Sequence, residues 1–518
     1  MAPCLAALFV LSLAALRAQT PPAALKQLES AQRFFQQQQW DKAEATALEA
    51  LRLDPDYADA EVLLGLLATA RSQFSEAERR FKRAVSLEPR NYRARGYLGS
   101  TYLQQKRYDE AAREYRHVLQ LDPANPSANY NLGLVALIRG KPAEALSYFR
   151  AVHHAAPSDP GPLIGMLESE LMLKMPDAAK TLSQLRELLR PNDPRLFQVA
   201  TLLARHAETA SAIQMYQELR KNFPNSYDVA YNLALVYMQA GRYTEAAATI
   251  SSAPGPDRAE AFDLLGTIEE KRRRPAESER AFARAAQLEP QNENYRFDFA
   301  NALLQHGKQQ EALEAFLGAV QEIPRSWRLR VGLGAAYYLA ARYDEAAHIL
   351  LDSLQFKPEP RVAYFLLGET YEAAGTRKPA IAAALHDYVR QKPRDEWAYY
   401  HYASILFERA QAEHRDDFAA ARAQVQEALK LNPSFAEAWL LAGMMAQAEN
   451  KLEESAGALE KAVSLDPALA AAHYRLALAY QRLGNQEEAK AQLAAFRSLK
   501  NEGRYRSRVL EALGRTAR

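Results

Sequence analysis

Sulfur nucleophiles are almost absent: 518 residues contain one cysteine, Cys4. It lies in an N-terminal stretch that reads as a leader, so the mature chain is expected to have no disulfide, thiolate metal site or cysteine nucleophile. An excess of one charge is missing too. The 65 basic and 63 acidic residues nearly cancel, and without the basic surplus that phosphate contacts demand, no nucleic-acid partner is expected. Proline and glycine (26 and 21 residues) are scattered rather than pooled, so no low-complexity linker divides the chain. Long apolar runs are lacking except one, the predominantly apolar stretch of twelve from Leu5 to Leu16, followed by Arg17, Ala18 and Gln19. That length suits the hydrophobic region of a secretory signal peptide and is short for a bilayer span. Residues 1–18 therefore read as a signal peptide and 19–23 as a short lead-in, with the product periplasmic or secreted. Two features depart from the pattern: no Lys or Arg precedes the run, and Leu16 is large for its place before Ala18. The alternative is an uncleaved N-terminus that dips into a membrane. Cys4 stands too early to be the lipid-bearing cysteine of a lipoprotein.

What the chain does contain is a period. "LRLDP" at 51–55 returns as "VSLEP" at 85–89, "LQLDP" at 119–123, "AQLEP" at 286–290, "LKLNP" at 429–433 and "VSLDP" at 463–467. Pro55, Pro89, Pro123, Pro157 and Pro191 are 34 residues apart, as are Pro290, Pro324 and Pro358, then Pro433 and Pro467. In one unit, 126–159, apolar residues recur at spacings of three and four within 128–139 and again within 143–153, which describes two amphipathic helices. "RGKP" between them supplies a glycine stop and a proline start. Small residues at positions 8 and 20 (Gly133, Ala145) allow close approach, the bulky Phe149 at 24 fills the space beside them, and Pro157 ends the second helix.

This pattern resembles the tetratricopeptide repeat, a 34-residue helix–turn–helix unit. Leu64, Gly65, Ala77, Phe81, Ala84 and Pro89 carry it in the second unit, Leu98, Gly99, Tyr102, Ala111, Tyr115 and Pro123 in the third, and Leu333, Gly334, Tyr337, Ala346 and Pro358 in the tenth. About fourteen units fill residues 24–503, seven in 24–258 and seven in 259–503, with a basic capping helix or tail over 504–518. The resemblance implies an all-α, right-handed superhelical solenoid whose first helices line a concave groove, since no helix pair buries its apolar face alone. The unit at 160–192 has Leu167 in place of glycine, "SSAPGPD" at 251–257 shortens the seventh, and extra residues near "QAEHRDDF" lengthen the twelfth, at 396–435. Such irregularities read as loops or changes of curvature; the competing reading is a hinge or a partner contact.

Positions 2, 5, 9, 12 and 13 of each first helix should face the groove. Position 5 is aromatic in seven units, at Tyr130, Phe197, Tyr231, Phe297, Phe365, Tyr400 and Tyr474, which offers rigid anchors for a partner segment; the competing reading is that these rings merely pad the groove. Asn131 and Asn232 stand at position 6, where the family often uses asparagine to bond a ligand backbone or a neighbouring helix. The family's five-residue clamp for a terminal carboxylate is not formed: Gly96, Ser100, Gly161 and Gly165 surround Asn131, and Phe197, Thr201, Glu260 and Leu264 surround Asn232. The tail from Arg497 to Arg518, with seven basic and two acidic residues, should cap the last repeat with its polar face; with an uncleaved N-terminus, it is the only segment suited to a membrane surface.

No catalytic, cofactor or metal site is expected. "GLGAAY" at 332–337 lacks a third glycine, "RGKP" lacks the upstream glycine of a phosphate loop, "HAE" at 206–208 has no cysteine pair after it, and His153 and His154 point apart on a helix. The expected function is that of a non-enzymatic scaffold holding protein or peptide segments in the groove and organising an envelope or secreted assembly. The alternative is an accessory protein of polysaccharide export or modification that stacks glycan on the same aromatics. N-terminal sequencing of the exported chain is expected to start near Gln19; a start at Met1 in the extracytoplasmic fraction would refute cleavage.

Overall fold

The computed structural model describes residues 20–255, 257–356, 361–391, 393–413, 417–499 and 504–514. The leader with Cys4, Gln19, Pro358, part of "QAEHRDDF" and the last four residues of the tail lie outside the described residues. Among those described there are twenty-nine α-helices, α1 (Pro22–Gln36) to α29 (Arg504–Gly514), and no strand. Up to α28 (Gln486–Ser498), odd-numbered first helices alternate with even-numbered second helices, each pair packed together. The chain is an all-α repeat array. Its helices fall into two compact units divided between Pro224 and Asn225, with α1–α12 in the N-terminal unit and α13–α29 in the C-terminal one.

The "LDP" signal acts as its chemistry predicts. Helix α6 (Tyr108–Leu121) ends on Asp122 at φ −140°, ψ 88°, the extended geometry that a following proline imposes. Asp54, Asn432 and Asp466 adopt nearly the same angles at the ends of their helices. Three residues after Asp122, the Asn125 side chain accepts a hydrogen bond from the Ala128 amide at 3.0 Å and caps α7 (Pro126–Ile138). Stop and restart are thus encoded within a few residues.

In the fourth pair the turn is made as "RGKP" implies, with Gly140 left-handed and Pro142 at the first position of the second helix; other pairs reach the same geometry without that sequence. A left-handed residue recurs 34 residues apart at Gln38, Ser72, Lys106, Gly140 and Lys174, with φ between 54° and 67°, and only one of these is glycine. Two backbone hydrogen bonds hold the geometry, for instance Lys106 N–H to Leu103 O and Arg107 N–H to Tyr102 O, and they offset the cost of left-handed backbone for an L-residue.

The core of several pairs is a ring set against bare backbone. A Cβ on Gly133 of α7 would lie 2.7 Å from the Phe149 ring, and one on Gly165 of the next first helix, α9 (Pro160–Met172), only 2.6 Å from it. Phe149, on α8 (Pro142–Ala155), is fully buried in this double seat. Gly65 under Phe81, Gly99 under Tyr115 and Gly266 under Phe282 repeat the arrangement. Where the ring is tyrosine, its hydroxyl bonds a position-9 hydroxyl: Tyr115 to Ser100 at 2.8 Å and Tyr216 to Thr201 at 2.9 Å.

Two irregular repeats have local consequences. The additional residues of the twelfth extend α23 (Glu396–Ala412) to 17 residues against 13 in α25 (Ala436–Ala448). In the eleventh, α21 (Arg361–Thr370) gives way to two 3₁₀ turns. The tail departs from expectation. A helix forms over its described part, but α29 packs chiefly on α17 (Glu293–Gln305), α19 (Trp327–Leu339) and α21 rather than closing the array on α28. The reason is its apolar pair, Val509 and Leu513, both fully buried among the C-terminal unit's core residues.

Phe149→Ala removes a ring shared by two repeats and should cost about 3–5 kcal/mol. The loss should appear as faster amide exchange confined to α7–α9, because each repeat leans only on its neighbours. Unchanged protection there would contradict the double seat.

Candidate functional site

The first-helix face is built from positions 2, 5, 6, 9 and 13 of successive odd-numbered helices. The predicted aromatics occupy it unevenly. Tyr130 and Phe197 are half-buried, each edge-on to the ring of its own second helix: Phe149 at 5.6 Å and Tyr216 at 5.8 Å between centroids. Phe297 is fully buried and Phe365 nearly so, so these two are core rather than open anchors. Tyr231 and Tyr400 are half-buried, and Tyr474 is the exposed one, at 41%. Asn131 and Asn232 turn back on their own helices, donating to Ser127 O at 2.9 Å and Asp228 O at 2.8 Å.

Two clusters in the C-terminal unit were not foreseen. The first spans α13 (Tyr227–Gln239), α15 (Ala259–Lys271), α17 and α19. Asp263 of α15, Asp298 of α17 and Arg328 of α19 interact along the face, with Arg328 Nη2 3.6 Å from Asp298. The Arg328 guanidinium lies over the Phe297 ring, 4.1 Å from its centroid, which explains why that ring is covered. Burial, helped by the charge of Asp298, pushes Asp263 up to about 7, and burial pushes Asp298 up to about 6 against the pull of Arg328. Tyr231 and Tyr295 are raised by burial and by the carboxylates of Glu260 and Asp263, Tyr295 to about 12. Asp263 Oδ1, Asn301 Oδ1 and Arg328 Nε are buried with no hydrogen-bond partner among the described residues. Such groups carry an unmet demand for polar contact.

The second cluster surrounds Arg508 of α29. Its guanidinium lies 5.2 Å from the Trp397 ring centroid and forms an ion pair with Glu437 of α25. Burial pushes Glu369 of α21 up to about 7, with Arg508 drawing it down in part. Burial, assisted by Arg508, drives His401 of α23 down to about 3, so its ring is uncharged at neutral pH. Predicted anchors Phe365 and Tyr400 reach this place through Trp397, at 5.1 Å and 5.8 Å between centroids. Gly368 makes room for the imidazole, since a Cβ there would fall 2.1 Å from His401.

The N-terminal unit offers a cavity instead. Gly96 of α5 (Tyr92–Gln104) stands at position 5, where other repeats place a ring, and nothing lies within 4 Å of where its Cβ would be. The gap is a cavity of about 310 Å³ lined in part by Tyr92, Arg93, Tyr97, Ser100 and Gln104. A signal for the missed residues was present. Position 2 gives Glu260, Asn294, Arg328, Trp397 and Glu437 in five of the later repeats, with Val362 and Ala471 in the eleventh and fourteenth, a largely polar and aromatic set on the first-helix face. Attention to position 5 alone passed over it. Among the described residues, no cluster of three or more His, Cys, Asp or Glu is placed to hold a metal, and no helix is long and apolar enough to cross a membrane.

Comparison with known families decides the assignment. A family model described as tetratricopeptide repeat matches residues 28–72, 62–126, 109–160, 199–263, 264–326 and 297–361. The chain belongs to the tetratricopeptide repeat family. Further repeat models match 448–484 and 471–499 of this tetratricopeptide repeat protein. No curated protein matches it. Solved structures similar to it include yeast Tom70, at 14% identity over 95% of this chain and 96% of that one with a TM-score of 0.36. Another is the APC/C hetero-tetramer Cut9-Hcn1, at 13% identity over 95% and 98% with a TM-score of 0.33. A third is a tetratricopeptide repeat protein from Parabacteroides merdae, at 16% identity over 54% and 98% with a TM-score of 0.33. The family assignment rests on the repeat models, not on these likenesses.

The raised carboxylates set a pH dependence. Asp263 ionises near 3.8 when exposed and near 7 in the fold, so the folded state holds the extra proton between those values. The stability linked to it is complete below about pH 4 and is lost as pH rises through about 7. Chemical denaturation of Asp263→Asn should therefore show a higher midpoint at pH 8 than the parent chain and a flatter profile from pH 5 to 8. A parallel profile in both would refute the coupling.

Proposed function

We propose that this tetratricopeptide repeat protein is an exported, non-enzymatic scaffold that holds segments of other proteins on its first-helix face and thereby organises an envelope or secreted assembly. The single observation that supports the protein-binding part is α29: a helical segment seats on that face by an ion pair, a cation–π contact and two buried aliphatic side chains. A face that takes one helix through ordinary side-chain chemistry has the properties of a helix-in-groove receptor. Export is supported by the apolar stretch Leu5–Leu16 before Ala18. The glycan alternative requires open ring faces. Tyr474, at 41%, is the only exposed ring among the seven position-5 aromatics, so no specific observation favours that alternative.

A photoreactive residue at Gly96, where the space is open, should form protein adducts in cells. The same residue at Arg113, exposed on the second helix α6, should not. Equal adducts from both sites, or none from Gly96, would count against the reading. The N-terminal unit is chosen because α29 lies in the other one.

A further inference from the structure

Helix α29 is held by contacts that require only a side-chain pattern. Arg508 reaches Glu437 and the face of Trp397. Val509 and Leu513, one turn apart, are fully buried, and Leu510 packs beside them. Gln305 Nε2 also donates to Leu510 O at 3.3 Å. The surround is shaped for a guanidinium. Glu437 supplies an acceptor and Trp397 an aromatic face, Glu369 adds a carboxyl whose charge Arg508 favours, and His401 stays neutral rather than competing. Trp397 and His401 also pack between repeats, against Phe365, Phe435 and Gly368, whereas Arg508 and Glu437 meet across the face.

The guest itself is slight. Eleven residues make a marginal helix in water, so α29 depends on the face that holds it. It stays in place because it is tethered, at the millimolar effective concentration typical of short linkers. The face also extends beyond what α29 satisfies: on α15, Asp263 Oδ1 has no hydrogen-bond partner among the described residues. A longer guest with a second cation would gain there what α29 does not. A second copy's α29 would bring the same side chains as the tethered one, so the occupant that gains is another protein.

We infer that the first-helix face from α15 to α25 is a receptor for an arginine-bearing amphipathic helix of a partner protein, and that α29 is the resident guest such a partner displaces. This rests on the scaffold reading and names its guest and its regulation.

The test uses the full-length chain and its Val509→Asp/Leu513→Asp variant, with two fluorescent peptides. One is residues 504–518 of this chain. The other keeps only Arg508, Val509, Leu510 and Leu513 on an alanine–glutamine helix. Both should bind the variant at least about tenfold more tightly than the parent, and Arg→Ala in the peptide or Glu437→Gln in the variant should cost at least about tenfold. Amide exchange of 504–514 should rise in the variant; if it does not, adding Arg508→Glu releases the helix and the same peptides decide. Failure of both peptides to bind a chain whose α29 is released would overturn the receptor. Binding of the first peptide alone would overturn recognition by pattern. Concentration-dependent dimers of the parent chain that the double substitution abolishes would overturn the partner in favour of exchange between copies. All three outcomes leave crosslinking from Gly96 in the other unit to judge the scaffold reading by itself.

Discussion

The structure depends on one contact: an aromatic ring on a second helix pressed against backbone that has no Cβ. Phe149 between Gly133 and Gly165, and Phe316 against Gly332, show it. A ring in that position buries a large apolar surface and fixes how closely two helices approach. Where the seat is shared with the following repeat, as at Phe149, the same contact transmits the stacking from pair to pair. Leu350 against Gly334 and Leu459 against Gly443 take the ring's place in other pairs.

A core placed between helices leaves the first-helix face free for other chemistry. Its positions vary from repeat to repeat: a cavity at Gly96, an ion cluster around Asp263 and Arg328, an arginine surround at Trp397 and Glu437. Electrostatics there differs from that of the outer surface. Many outer ion pairs join neighbours three or four residues apart on one helix, such as Arg79 with Glu76 and Lys490 with Glu487, and add little stability. On the first-helix face the carboxylates are drawn from different repeats and held partly away from water, which is why they are displaced toward neutrality.

The fold was legible because its period is written in proline and in the position-8 residue, and both act locally. Asp122 before Pro123 takes the extended backbone that ends α6, and Gly133 takes the ring of Phe149. The site was legible only in part. Position 5 was rightly placed on the first helices, yet Phe297 is hidden because Arg328, from the next repeat, lies over it. That contact crosses repeats and leaves no trace in a pattern read one repeat at a time. The destination of α29 was hidden for the same reason. Its basic composition suggested a polar cap, whereas its position is set by two aliphatic side chains and a glutamate more than sixty residues upstream, Glu437 paired with Arg508.

The shared ring seat also limits how such an array can be rearranged by recombination. Phe149 finds Gly165 at position 6 of the following repeat; were the fourth repeat duplicated in tandem, the ring would meet Asn131 in that place, and its Cβ would occupy space the ring now fills. Phe81, by contrast, is followed by Tyr97, a ring lying nearly parallel to it at 5.6 Å. The modules look interchangeable in outline but are keyed at their joints, so their order is inherited as a set rather than shuffled one at a time.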